Sequence, residues 1–326
     1  MVHRMLRTAV LAAMIGLPMA GNAADPLVLY TSQPTTDAQQ TVDAFQKAHP
    51  DIEVEWVRDG TTKLMGKLRA ELEAGVVKPD VLLIADTVSM ESLKRDGHLQ
   101  PYLSEHRDAY DSSLYESGGY YYSTKLITTG IVYNTRAAER PASWQDLTGD
   151  AYAGQVTMPS PLYSGAALIH LATLTDAPAL GWDYYRALSA NDASAQGGNG
   201  GVLKAVASGT KAYGVVVDFL PIRESAKGAP VEFVFPEEGV SAVTEPVAIM
   251  AGAEHPDAAQ AFVDFVLSRE GQALVRSQGY LPARDDVAAP EGFPPREEIE
   301  LLPLDAERAL DNAEAFKQRF SEIFGS

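Results

Sequence analysis

The chain has 326 residues, a formal charge of −18 and no cysteine. Disulfide frameworks, zinc–thiolate sites and cysteine catalysis are excluded, and nucleic acid is a poor partner because phosphate backbones need clustered Lys and Arg. Hydrophobic residues make up 46%, enough for a soluble protein of two lobes.

In chain order, residues 1–23 read as a secretory signal peptide. Arg4 and Arg7 form a basic leader and Leu11 to Met19 a short apolar run. Gly21 and Ala23 are the small residues ahead of a cut before Ala24. The run is far shorter than the ~20 residues that cross a bilayer. Export to the periplasm with cleavage after Ala23 is the expectation.

Leu27–Tyr30 is the first expected strand. A polar loop through Thr36 leads to a helix from Asp37 to about Ala48, which His49-Pro50 ends. Ile52–Val57 alternates like a half-buried strand, and Lys63–Ala74 reads as a helix. Val81–Ala85 is a continuous apolar run, as at the centre of a covered parallel sheet, and a helix follows from Val88 to Arg95. The repeated strand–loop–helix order predicts a doubly wound, parallel α/β sheet. Ligands of such sheets lie outside the carboxyl ends of the strands. Ser32, Thr35, Thr61, Thr62, Asp86 and Thr87 fall there. Each hydroxyl could equally cap a helix.

A second set of elements follows. Strands are expected at Leu126–Asn134, Gly154–Pro159, Ala212–Val217, Val231–Phe235 and Thr244–Met250. Helices are expected at Ala166–Leu174, Trp182–Ala190, Asn199–Ser208, Asp257–Leu267 and Glu270–Arg276, with an amphipathic tail at Leu304–Phe324. There is no repeat and no low-complexity linker, so the chain should pass between lobes in mid-strand. Leu126–Tyr133 and Val231–Phe235 are the expected crossings, forming the hinge. Residues 24–128 with 236–326 would make one lobe and 129–235 the other.

Several short segments occur in a telling order: Leu29–Gln33, Gly130–Asn134, Trp144–Leu147, Ser164–Ala166, Ala205–Gly209 and Ser268–Gln272. Together they resemble periplasmic solute-binding proteins of ABC importers, specifically the ferric-iron-binding group and its phosphonate- and sugar-phosphate-binding relatives. The resemblance covers 25–326. It implies a type II periplasmic-binding-protein fold, α/β with two lobes on a two-strand hinge. It also implies closure on a small anionic or zwitterionic ligand and delivery to an ABC permease in the inner membrane, and a monomer is expected.

Departures from that family narrow the ligand. Ferric-binding members carry a histidine just after the first strand, where this chain has Pro34, and two adjacent tyrosines where it has Asp218-Phe219. The carboxylate Asp86 matches theirs. Ferric iron needs several phenolate and carboxylate oxygens, and adjacent Tyr120-Tyr121-Tyr122 keeps it open. Ser164-Gly165-Ala166 matches the motif that holds a phosphate in those relatives, and Asn199 falls near an asparagine that touches the same anion. Physically, Gly165 admits the ligand to backbone N–H groups at a helix start. Ser164 as a plain N-cap is the alternative. Asp86 and Asp218 would suit a cationic end of the ligand, and Phe219 or one of Tyr120–Tyr122, Tyr121 foremost, could pack on an alkylammonium.

These features point to a small zwitterionic phosphonate or phosphate ester, with 2-aminoethylphosphonate as the specific expectation. Ferric iron and then sugar phosphates are the alternatives. The chain has no Gly-x-Ser-x-Gly elbow, no His-Glu-x-x-His and no Walker loop. No catalysis, cofactor or resident metal is expected, and His170 reads as a half-buried structural histidine.

Overall fold

The computed structural model describes residues 26–325; the expected signal peptide lies outside the described residues. The chain opens with β1 (Leu27–Thr31), α1 (Thr35–Ala48), β2 (Val54–Arg58), α2 (Thr61–Glu73), β3 (Val81–Leu83) and α3 (Thr87–Arg95). Two short strands, β4 (Leu99–Gln100) and β5 (Tyr122–Ser123), complete this stretch. The long β6 (Lys125–Asn134) then leads to β7 (Val156–Met158), α4 (Gly165–Asp176), α5 (Gly181–Ala190), β8 (Ser194–Ala195) and α6 (Asn199–Ser208). After these come β9 (Tyr213–Val217), α7 (Phe219–Ala226), β10 (Val231–Val234), β11 (Ser241–Val243) and β12 (Pro246–Met250). The chain finishes with α8 (Pro256–Leu267), α9 (Arg269–Ser277), β13 (Leu281–Pro282) and α10 (Ala306–Phe324).

The strands form two sheets, one ordered β2-β1-β3-β12-β4 and the other β10-β6-β9-β7-β8. Period-two alternation distributes the first sheet's side chains to two helical layers. Leu27, Leu29, Val81, Leu83, Val247 and Ile249 meet Phe45 of α1 and Phe262 of α8 on one face. Tyr30, Leu82, Ala248 and Met250 meet Leu64 and Leu68 of α2 and Met90 and Leu93 of α3 on the other. The second sheet repeats the scheme. Ile131, Tyr133, Val156 and Val215 face α4 and α5, whereas Val132 and Val216 face α6. Two glycines permit close approach: a Cβ at Gly130 would lie 2.5 Å from the Phe233 ring, and one at Gly214 would lie 2.5 Å from Val202 of α6.

Three expectations are corrected. The first sheet is mixed rather than parallel, because β12 runs antiparallel to β3. The return crossing is not Val231–Phe235: β10 pairs with residues 131–134 of β6 inside the second sheet. The chain returns at Thr244–Glu245 instead, between β11 in the second sheet and β12 in the first. An alternating strand reads alike in either sheet, so the pattern could not place the crossing. Finally, α10 does not belong to the first lobe's core. Phe316 and Phe320 pack with Tyr185 and Trp144 of the second, and Asp311 pairs with Arg95 of α3 at 2.7 Å. The tail therefore touches both lobes.

The two crossings are tied by a buried ion pair. Lys125 Nζ at the start of β6 lies 2.7 Å from Glu245 Oε2, and the two side chains are 1% and 3% exposed. Glu245 holds φ 31°, a strained value for a residue with a side chain. Gln33 Nε2, from the loop after β1, donates to the same carboxylate at 3.0 Å. Tyr280 lies with its ring 4.1 Å from Lys125 Nζ. Breaking a buried pair leaves an uncompensated charge. Glu245→Gln is therefore expected to lose ~3–5 kcal/mol in denaturant unfolding. The double variant Lys125→Met/Glu245→Leu should recover most of it. Unfolding of Glu245→Gln at the wild-type midpoint would contradict this account.

Candidate functional site

Strand register fixes where the lobes face one another. Thr31 lies level with Arg58 of β2 and Leu83 of β3, so three parallel strands end on one edge of the first sheet. Just beyond β3, Ile84 N–H donates to Pro246 O at the start of β12, which has just arrived from the second sheet. In the second sheet, Thr129 of β6 pairs with Val217, the last residue of β9. The carboxyl ends of β1, β2 and β3 thus face those of β7 and β9 across the crossings.

On the first wall, Ser32 is used in structure: its Oγ accepts from Ala85 N–H at 2.9 Å, which joins the loops after β1 and β3. Thr35 is exposed at the first position of α1, and Thr61 is half-buried at the first position of α2; Thr62 follows it. Neither helix has a side-chain cap, their N-cap residues being Pro34 and Gly60. Asp86 caps α3, accepting from Ser89 N–H at 3.1 Å and from the Ser89 hydroxyl. Burial raises its pKa against the pull of these hydrogen bonds.

On the second wall, the expected anion residues are brought together. Ser164 caps α4, its Oγ accepting from Ala167 N–H at 3.2 Å. Asn199, the first residue of α6, donates to Ser164 Oγ at 3.3 Å and accepts from Val217 N–H at 3.1 Å. One asparagine therefore joins the N-termini of α4 and α6 to the end of β9. The N–H groups of Gly165, Ala166, Asn199 and Gly200 have no backbone acceptor. A Cβ at Gly165, Gly198, Gly200 or Gly201 would meet nothing within 4 Å, so this corner is open. Two helix dipoles and four free donors make it a place for an anion.

Asp218 and Phe219 follow β9 but turn away from the opening. Asp218 is fully buried. Its Oδ2 accepts from Thr128 N–H at 2.8 Å and Thr128 Oγ1 at 2.7 Å, and its Oδ1 accepts from Phe219 N–H at 2.5 Å. It caps α7 and staples it to the crossing strand, so no surface of it is available to a ligand. The Phe219 ring lies 5.3 Å from the Tyr280 ring, and Arg223 stands 4.8 Å from Phe219 and 4.9 Å from Tyr280. Phe219 already packs on a protein cation.

Thr87 and Tyr121 lie elsewhere. Both line a separate cavity of about 480 Å³, with Glu91, Lys94, Thr244 and Leu304 among its other walls. Thr87 Oγ1 is 2.9 Å from Thr244 Oγ1, and the Tyr121 hydroxyl donates to Glu91 Oε2 at 2.9 Å. Burial, then the Glu91 charge, pushes the Tyr121 phenol up. His170 is buried with Nδ1 2.9 Å from Ser241 Oγ, and burial lowers its pKa to about 3.

Two features of the opening carry no motif. Arg58 ends β2, exposed, with its Nε donating to Gln33 O at 2.8 Å. Its signal is a cation at the last position of an alternating strand. Tyr163, the residue before the α4 cap, is 80% exposed. An aromatic residue just ahead of a Ser-Gly helix start is the corresponding signal.

Burial raises the Asp218 pKa from 3.8 to about 6, against the hydrogen bonds from Thr128. The folded protein thus holds this proton more tightly than the unfolded chain does. Its stabilising contribution is full below about pH 4 and is lost as pH rises through about 6. In Asp218→Asn, whatever its overall stability, the fall in stability across this window should be shallower than in wild type. Parallel unfolding curves at pH 4, 5, 6 and 7 check this; equal slopes would refute it.

The comparisons with known proteins fit this architecture. Residues 77–310 match the family model described as bacterial extracellular solute-binding protein. The chain is 28% identical over 287 residues to a probable ABC transporter periplasmic-binding protein of Sinorhizobium fredii, covering 82% of this chain and 76% of that one. Among solved structures it is similar to iron-bound HitA of Pseudomonas aeruginosa, with TM-score 0.78, 22% identity and coverage of 90% of this chain and 99% of that one. It is also similar to AfuA of Actinobacillus pleuropneumoniae with fructose-6-phosphate bound, with TM-score 0.75, 22% identity and coverage of 92% and 98%. The fold shared with these structures is the type II periplasmic-binding-protein fold.

Proposed function

Because the chain belongs to the bacterial extracellular solute-binding family, and is thus the periplasmic substrate-binding component of an ABC transporter, we propose that its cargo is a small phosphonate or phosphate ester. The observation that carries this reading is the junction of α4 and α6. Asn199 ties the two helix starts together, and open glycines leave their N–H groups free. Such donors suit the tetrahedral oxyanion of a phosphoryl or phosphonyl headgroup. The structural neighbour bound to fructose-6-phosphate carries a headgroup of that kind.

Hinge closure does the capture. The headgroup sits on the second lobe, and the rest of the ligand reaches the loops after β1, β2 and β3. Contacts made only when both walls meet the ligand favour the closed form. 2-Aminoethylphosphonate is the zwitterionic candidate. Asp218 is sealed and Asp86 caps α3, so neither expected carboxylate is left free for its ammonium group. Ferric iron is the weaker reading. The Tyr121 and Tyr122 hydroxyls already donate to Glu91 Oε2 and to Tyr102 O, and burial disfavours their phenolates.

Gly165→Asp tests the site. The position is open, so the variant should fold, but its carboxylate would stand where the headgroup binds. Titration calorimetry with 2-aminoethylphosphonate and glycerol 3-phosphate should show affinity reduced at least ~100-fold relative to wild type. Ser164→Ala loses about 1 kcal/mol of capping and should weaken binding by ~10-fold or less. Wild-type protein that binds neither compound but takes up ferric citrate with visible colour would overturn the reading.

A further inference from the structure

Arg58 is an exposed cation on the first wall that forms no ion pair among the described residues. It ends β2 in register with Thr31, one strand spacing from the loop that carries Ser32. The hydrogen bond from its Nε to Gln33 O anchors the guanidinium between the start of α1 and the start of α2. Both helix starts lack a side-chain cap, so the dipoles beside it are of the same sign as its own charge.

The neighbouring carboxylates are committed. Asp59 pairs with Lys63 at 2.7 Å and accepts from Gly60 N–H at 2.8 Å. Asp37 accepts from the Tyr280 hydroxyl at 2.8 Å. Asp86 is held by Ser89. Asp59 lies near enough to feel the Arg58 charge, but among the described residues no carboxylate forms an ion pair with the Arg58 guanidinium. In a protein of charge −18 the Nη groups of this cation, held by its Nε at a strand end, are therefore open to an acid from outside. Its Nη groups present the fork that takes a carboxylate or phosphate in bidentate fashion.

We infer that Arg58 is a specificity-determining residue that selects cargo with a second acidic group, remote from the headgroup. This rests on the reading that the α4–α6 junction holds a phosphonyl or phosphoryl headgroup. The ligand then bridges the lobes with an anion at each end: the headgroup on backbone N–H groups of the second lobe, the other acid on Arg58 of the first. Phosphonocarboxylates and phosphorylated hydroxy acids form this class. An aminoalkylphosphonate presents an ammonium group to the same arginine and is disfavoured.

Three phosphonates of matched chain length separate the outcomes: 3-phosphonopropionate, 2-aminoethylphosphonate and propylphosphonate. Calorimetry on wild type should rank 3-phosphonopropionate about tenfold or more tighter than propylphosphonate. Arg58→Gln should erase that advantage while leaving propylphosphonate within about twofold and 2-aminoethylphosphonate equal or tighter. Arg58→Lys, which keeps the charge and loses the fork, should retain part of the advantage. A variant that weakens all three ligands equally would assign Arg58 a merely structural role and overturn the inference. So would an unchanged ranking in Arg58→Gln. If no phosphonate binds wild type, the headgroup reading fails and this inference fails with it.

Discussion

Backbone amides at the start of an α-helix have no partner within the helix, and the account of this protein depends on where two such starts are placed. Asn199 sets the geometry. Its amide reaches Ser164 on one side and the end of β9 on the other, so α4, α6 and the second sheet meet at one point. Glycines at 165, 198, 200 and 201 keep side chains out of the way. A chain of strong net negative charge can hold an anion here because the attraction is local. Charge spread over the surface is screened by salt within about 8 Å, whereas dipoles in contact with the ligand are not.

That corner is useful only if the first lobe can close over it. The crossings at the start of β6 and at Thr244–Glu245 join the two lobes, and both bear polar groups that are rare in such strands. Lys125 and Glu245 neutralise one another out of water, and Gln33 ties them to the loop of the first wall. Asp218 adds a second tie, between β6 and α7. A hydrophobic hinge of the same shape would be as stable or more so. Charged partners instead specify which residues meet at the crossings. The tail helix α10 packs in the second core and pairs with α3 of the first lobe, so it spans the same junction.

Much of this was legible in the residues. Gly209, at φ 79°, ends α6 where its sequence position implies. The all-apolar β3 is buried on both faces, as its composition requires. Ser164 is both things the residues allowed, a cap and a member of the open corner. What could not be read follows from side-chain direction and partner choice. Asp218 follows β9 in sequence, but its orientation is set by Thr128 on a strand ninety residues away. The amphipathic stripe of α10 declares a buried face without naming the lobe that buries it. Arg58 belongs to no motif. Its lack of an ion pair appears only when the nearby carboxylates are traced to their partners.

The most direct measurement follows the amide protons of Gly165, Ala166, Asn199 and Gly200 by NMR as a small phosphonate is added. The account predicts large downfield shifts of these four, the signature of new hydrogen bonds to a charged oxygen, saturating with the calorimetric isotherm. Saturable binding that leaves all four in place, with shifts confined to the cavity beside Tyr121, would contradict it.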